Sequence, residues 1–107
     1  MTNYALRAPV LYEITYGNTF KPRITVRYDS GALADVSGAT VQISLGDFSG
    51  TKVNATIDMS GAASGLVVGL FAANAVPVGD YDLHGTVTMN GETQTVSRDK
   101  LRVLKAL

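Results

Sequence analysis

The residues best equipped for chemistry in this 107-residue chain are Asp80, Asp82 and His84. They lie two apart, and side chains two apart on a β-strand project from one face. Two carboxylates and an imidazole on one face are donors that a divalent metal accepts. The array is linear, however, and the sequence offers no second cluster to close a coordination shell. The expectation is a solvated strand face, with no metal and no cofactor. Calcium loops built on Asp29-Ser30-Gly31 or on Asp47 lack oxygen ligands at the required spacing.

Nucleophilic catalysis finds little to work with. His84 is the sole histidine, so any Ser-His-Asp arrangement must run through it. In Gly46-Asp47-Phe48-Ser49-Gly50 the serine stands one position late for a nucleophile elbow, and the segment joins two strands instead of a strand and a helix. No Gly-Lys-Ser/Thr follows a glycine-rich turn, so a phosphate loop is missing. The chain has no cysteine, which removes thiolate chemistry and a disulfide framework together. Glycosidase carboxylate pairs are defined by spatial separation, and a chain this short has little room for a cleft. We therefore expect no enzyme and assign no catalytic residue.

The elements that must carry these side chains repeat with period two. Leu11–Tyr16, Arg23–Tyr28, Thr40–Leu45, Lys52–Met59 and Tyr81–Met89 each alternate apolar and polar residues, as half-buried strands do. Ile24, Val26 and Tyr28 share one face, as do Val41, Ile43 and Leu45. Leu66–Phe71 is continuously apolar, which suits a strand covered on both faces. Asn90-Gly91 predicts a type I′ hairpin joining Tyr81–Met89 to a strand that starts at Glu92. Leu101–Leu104 reads as a last strand, and a shift of inward phase after Val96 suggests a bulge near Arg98-Asp99. Ala72–Val76, stopped by Pro77, makes at most a short helical turn. Seven to eight short strands with frequent turns predict an all-β, immunoglobulin-like antiparallel sandwich, with a small barrel as the alternative.

Nine Lys/Arg balance nine Asp/Glu, so the basic excess of a nucleic-acid binder is missing. Arg98, Lys100, Arg102 and Lys105 crowd the last ten residues and are expected to guard an edge strand. Met1–Arg7 lacks the basic stretch and apolar core of a leader. Met59–Val78 carries no charge and spaces Gly61, Gly65 and Gly69 four apart, as in a packed membrane helix. Ser60, Ser64, Asn74 and Pro77 dilute it, so a strand and loop are expected and no membrane contact. Residues 1–10 show little periodicity and form an arm, disordered or laid across a neighbouring subunit, ahead of a sandwich domain over residues 11–107. Leu6, Pro9, Val10, Leu11 and Tyr12 are the candidate partner contacts.

Two motifs carry a resemblance. Asp35-Val36-Ser37-Gly38-Ala39-Thr40-Val41 runs straight into a core strand, and Val76-Pro77-Val78-Gly79-Asp80-Tyr81 opens a late one. The order of features from Leu11 to Leu104 resembles the N-terminal β-sandwich domain of bacteriophage baseplate upper proteins and tail-fibre proteins. That family implies a virion structural module that attaches to tail or baseplate, or decorates a capsid, through contacts with other phage structural proteins and with copies of itself. It implies no catalytic residues. The family domain usually precedes a fibre or shaft, and with the sequence ending at Leu107 the expectation shifts from receptor binding to an adaptor or decoration role. The alternative is a carbohydrate- or cell-surface-binding sandwich, with exposed tyrosines in a groove and calcium near Asp80 and Asp82.

Overall fold

Among the described residues, alternating side chains resolve into eight strands in two layers. The computed structural model describes residues 3–47, 50 and 52–106. Phe48 and Ser49, at the centre of the predicted turn after Thr40–Leu45, lie outside the described residues, as do Met1, Thr2, Thr51 and Leu107. The strands are β1 (Leu11–Thr15), β2 (Arg23–Thr25), β3 (Thr40–Gly46), β4 (Lys52–Asn54), β5 (Thr56–Asp58), β6 (Leu66–Leu70), β7 (Gly79–Met89) and β8 (Glu92–Leu104). A large sheet runs β1-β8-β7-β3-β4 and a small one β2-β6-β5. The fold is thus an all-β sandwich. Neighbouring strands are antiparallel except β1 and β8, which pair in parallel from Leu11↔Lys100 to Thr15↔Leu104. Nearly the whole domain lies between those two strands in sequence, so the long connection that a parallel pair requires is already supplied.

The core lies between the sheets. Val41, Ile43 and Leu45 of β3, Leu83 and Val87 of β7, and Leu101 and Val103 of β8 face Ile24, Val67 and Phe71. Each such side chain contributes about 1.5–3 kcal/mol by leaving water. The chain passes from the large sheet to the small one at Ala55, between β4 and β5, where its N–H still donates to Ile43 C=O at 2.9 Å. One apolar strand differs from expectation. β6 buries Val67 and Gly69 but leaves Leu66 36% and Leu70 39% exposed, because it is the middle strand of the small sheet and only one of its faces meets the core. An unbroken apolar run carries no phase, so it could not show which side would be wet.

The uncharged segment Met59–Val78 forms a three-residue 3₁₀ helix (Ala62–Ser64), then β6, then a turn at Ala72–Ala75. Among the described residues no helix is long and apolar enough to cross a membrane. Gly65 is needed there: its φ is +80°, and a Cβ would stand 2.5 Å from Val26 O. The Asn90-Gly91 hairpin forms as expected, with φ of 54° and 79° and Met89 opposite Glu92.

Both motifs of the resemblance do local work. Asp35 Oδ1 accepts from Ser37 N–H (3.0 Å) and Ser37 O–H (2.6 Å), turning the chain while Val36 drops into the core. Those bonds hold the Asp35 carboxyl below its ordinary range, with the Ser37 hydroxyl the main cause. Tyr81 is buried and donates its O–H to Pro77 C=O at 2.8 Å, tying the start of β7 to the preceding loop as a tyrosine corner does. Burial raises the Tyr81 phenol above its usual value.

Candidate functional site

Pro9 cannot donate a backbone hydrogen bond, so strand pairing is interrupted there and the chain before β1 must find partners of its own. It finds them within the same chain. Tyr4 bridges antiparallel to Tyr28, framed by Ala5 N–H to Arg27 C=O (2.8 Å) and Asp29 N–H to Asn3 C=O (3.1 Å). The two rings stack with centroids 5.7 Å apart, and burial raises the Tyr4 phenol, with Tyr28 a smaller cause. Tyr4 N–H also reaches Gln94 Oε1 at 2.9 Å. Farther along, Arg7 N–H donates to Val96 C=O and Lys100 N–H to Val10 C=O, each at 3.0 Å. Residues 3–10 therefore bridge the turn region at Arg27–Asp29 and the long strand β8. The expectation was an arm either disordered or laid across a neighbour; residues 3–10 instead lie along their own domain.

Asp99 anchors this seam. Its side chain is wholly buried; Arg7 Nη2 pairs with Oδ2, and Val10 N–H donates to Oδ1 at 2.8 Å. An inward carboxylate arises because β8 bulges at Val96. Gly85 pairs with Ser97 and Thr86 with Thr95, so Val96 is the extra residue and both Val96 and Ser97 are buried. The bulge expected near Arg98-Asp99 thus lies two residues earlier. With the phase reset at Val96, Ser97, Asp99, Leu101 and Val103 all face inward.

Of the candidate contacts, Leu6 is 57% exposed, Val10 36% and Leu11 60%, and Pro9 is exposed beside them. They follow one another as an apolar strip of chain along the arm and the start of β1, with the successive Val10 and Leu11 directed to opposite sides. Tyr12 turns inward and meets Phe20 edge-on at 5.3 Å. β1 is the edge of the large sheet, so this strip borders an open strand edge. The seam residues Tyr4, Arg7, Tyr28 and Asp99 were missed by sequence reasoning. The signal available was an Asp in phase with Leu101 and Val103.

Asp80, Asp82 and His84 do share the outer face of β7 and are exposed. Their neighbours are cations of β8: Asp80 accepts from Arg102 Nε at 3.0 Å, Asp82 pairs with Lys100 Nζ, and His84 lies opposite Arg98. β8 is an interior strand between β1 and β7, so its basic residues face acidic ones across the sheet and do not guard an edge. Glu13 of β1 sits opposite Arg102 from the other side. The Lys100 hydrogen bond holds the Asp82 carboxyl below its ordinary range, and Asp80 raises the Arg102 guanidinium. A shallow open hollow of about 390 Å³ lies beside this ladder, lined among others by Ser44, Gly46, Lys52, Asp82 and His84. Four of the five tyrosines are engaged elsewhere: Tyr81 is in the core, Tyr12 meets Phe20, and Tyr4 and Tyr28 cover each other, while Tyr16 is exposed just after β1.

No family model and no curated protein matches the chain. Solved structures do match. The N-terminal domain of phage TP901-1 ORF48 superposes with a TM-score of 0.57 at 12% identity, covering 99% of this chain and 96% of that one. An endo-β-1,4-mannanase from Thermotoga petrophila gives 0.59 at 13% identity, over 99% of this chain and 20% of the mannanase. An endo-fucoidan hydrolase of glycoside hydrolase family 107 gives 0.61 at 10% identity, over 97% of this chain and 14% of the hydrolase. At such identities the likeness is one of fold. The chain spans a fifth or less of either hydrolase, whereas it is nearly coextensive with the phage domain.

Proposed function

We propose that the chain is a structural module of a phage virion that works by contact with neighbouring subunits, through the arm and the β1 edge. The observation that carries this reading is the coextensive fit to a phage domain, 99% of one chain on 96% of the other. Attachment to tail or baseplate is the first form of the role and capsid decoration the second. Partners are other structural proteins of the particle and further copies of this chain. The contact surface is the strip Leu6, Pro9, Val10 and Leu11 beside an open strand edge, whose backbone groups are ready hydrogen-bonding partners. Purified particles of the encoding phage should contain the chain at fixed stoichiometry by mass spectrometry, and antibody labelling should locate it. A chain found wholly in the supernatant after particles are pelleted sinks the reading.

A second reading rests on the two polysaccharide hydrolases, which carry this fold as a fraction of their length. Under it the domain binds glycan beside His84 and Lys52, where polar groups line the hollow. Retardation in gels containing mannan or fucoidan, with and without calcium, is the test. Unchanged mobility in both counts against this reading and leaves the first in place.

A further inference from the structure

We propose that residues 3–7 are an exchangeable arm hinged at Ala8-Pro9: the seam that holds them in one chain equally receives the same segment of a second copy, so that two copies associate by reciprocal arm exchange. This deepens the contact reading above and rests on it, naming a second copy as the occupant.

Three observations converge. First, the seam demands an occupant. Asp99 is wholly buried, and its partners, Arg7 Nη2 and Val10 N–H, both come from the arm or its root. An emptied seam leaves that charge without a cation, a costly state, so an arm from one copy or the other must fill it. Second, the hinge is already free of backbone bonds. Among the described residues Arg7 and Val10 carry backbone bonds to β8, while Ala8 and Pro9 between them carry none. Redirecting the chain at Ala8-Pro9 breaks no hydrogen bond. Third, docking within one chain leaves Leu6 57%, Val10 36% and Leu11 60% exposed around the hinge and the start of β1. In an exchanged pair the two hinges cross beside one another, and those side chains gain cover that neither single copy supplies. Every seam contact is kept, so the balance turns on that added burial against the cost of association. The tethered arm sees its own seam at an effective concentration on the order of millimolar. Exchange is therefore minor in dilute solution and grows where copies crowd on a common scaffold.

The absence of cysteine makes the test direct. Tyr4 and Tyr28 face each other as a non-hydrogen-bonded antiparallel pair, the closer of the two pair types and suited to a cross-strand disulfide. Two single variants, Tyr4→Cys and Tyr28→Cys, are mixed at about 1 mM, warmed and oxidised. A covalent dimer between the two variants, severalfold above the dimers each forms alone, is the expected result. The double variant in one chain, in dilute solution, reports the docked geometry: it should oxidise to a cross-linked monomer. Cross-linking in the double variant without a mixed dimer overturns exchange, and failure of both overturns the seam itself. Light scattering supplies a reading that needs no cysteine, on the unsubstituted chain and on a deletion variant whose circular dichroism shows it folded. Mass should rise toward a dimer with concentration and fall back when residues 1–9 are removed. A dimer that survives that deletion points to β1 edges pairing instead and overturns the proposal. A chain that enters particles yet never exchanges its arm keeps the virion reading and loses this one.

Discussion

Asp99 and Lys100 are adjacent on β8, and each belongs to an ion pair, but the pairs lie on opposite sides of the strand. Asp99 faces inward with its side chain 0% exposed and its partner Arg7 at 25%. Lys100 faces outward at 70%, and its partner Asp82 is 51% exposed. At contact distance an ion pair is worth about 1 kcal/mol in water and about 4 at the effective dielectric of a protein surface. The outer pair also works against side-chain entropy and is screened by salt, so little of its attraction remains as stability. The inner carboxylate has already lost its water, and the arm's Arg7 and Val10 N–H offset that loss. One residue of register therefore separates an interaction that organises the molecule from one that decorates it. The difference places the vulnerable point of the domain at the seam and not on the charged face.

The sharpest way to break this comparison is to remove one partner from each side. Asp99→Ala should destabilise the domain by about 2–3 kcal/mol in urea unfolding, at or below the lower limit for breaking a buried pair because Arg7 can swing into water. A loss under about 0.5 kcal/mol, the size of a surface pair, would make the two sides equivalent and remove the argument for a seam. Tyr4→Ala comes next. It deletes the stack on Tyr28 while leaving Asp99 paired, and should cost about 1–2 kcal/mol. Limited proteolysis should then cut near Ala8-Pro9 faster in this variant, whereas substitutions on the outer face leave that rate alone.

The sequence disclosed the outer face more readily than the seam, and for physical reasons. Alternation along Tyr81–Met89 and the Asn90-Gly91 turn determine which side of β7 is wet and which strand lies beside it, so Asp80, Asp82 and His84 could be placed on one exposed face from spacing alone. Hairpin register gives cross-strand partners only from Met89 back to Thr86; those of His84, Asp82 and Asp80 lie beyond the bulge and depend on placing it. The bulge itself was legible as a change of phase but not at its residue, because Val96-Ser97 and Arg98-Asp99 both interrupt the alternation. Only pairing with β7 shows that Val96 is the extra one. Placing the break two residues late hid the inward direction of Asp99. The arm was hidden for a different reason. Its contacts join residues about 24 to 92 apart in sequence, Tyr4 to Tyr28 and Arg7 to Asp99, and an aperiodic segment of ten residues gives no sign of such partners. The order of strands was likewise out of reach, which is why the basic residues of β8 were expected on an edge.

The smallest expected effect is also the one that sharpens the comparison most, because its sign with pH is set. The Lys100 hydrogen bond lowers the Asp82 carboxyl below its ordinary value in the folded chain. The unfolded chain therefore binds more protons there, and stability rises with pH through that range. The pair's contribution is fully present above the ordinary carboxylate value of about 4 and is lost as pH falls through the lower folded value. Asp82→Asn should remove that acid-side slope and cost no more than about 0.5 kcal/mol near neutral pH. High salt should erase even this difference, since both partners lie within reach of the ion atmosphere. The loss from Asp99→Ala should persist in the same salt, because a carboxylate with no exposed surface is screened far less. Two chemical denaturation series, low and high salt, on these two single variants therefore separate the sides of β8. If the two losses shrink together with salt, Asp99 is solvated after all, and the inward phase of β8 beyond Val96 is wrong.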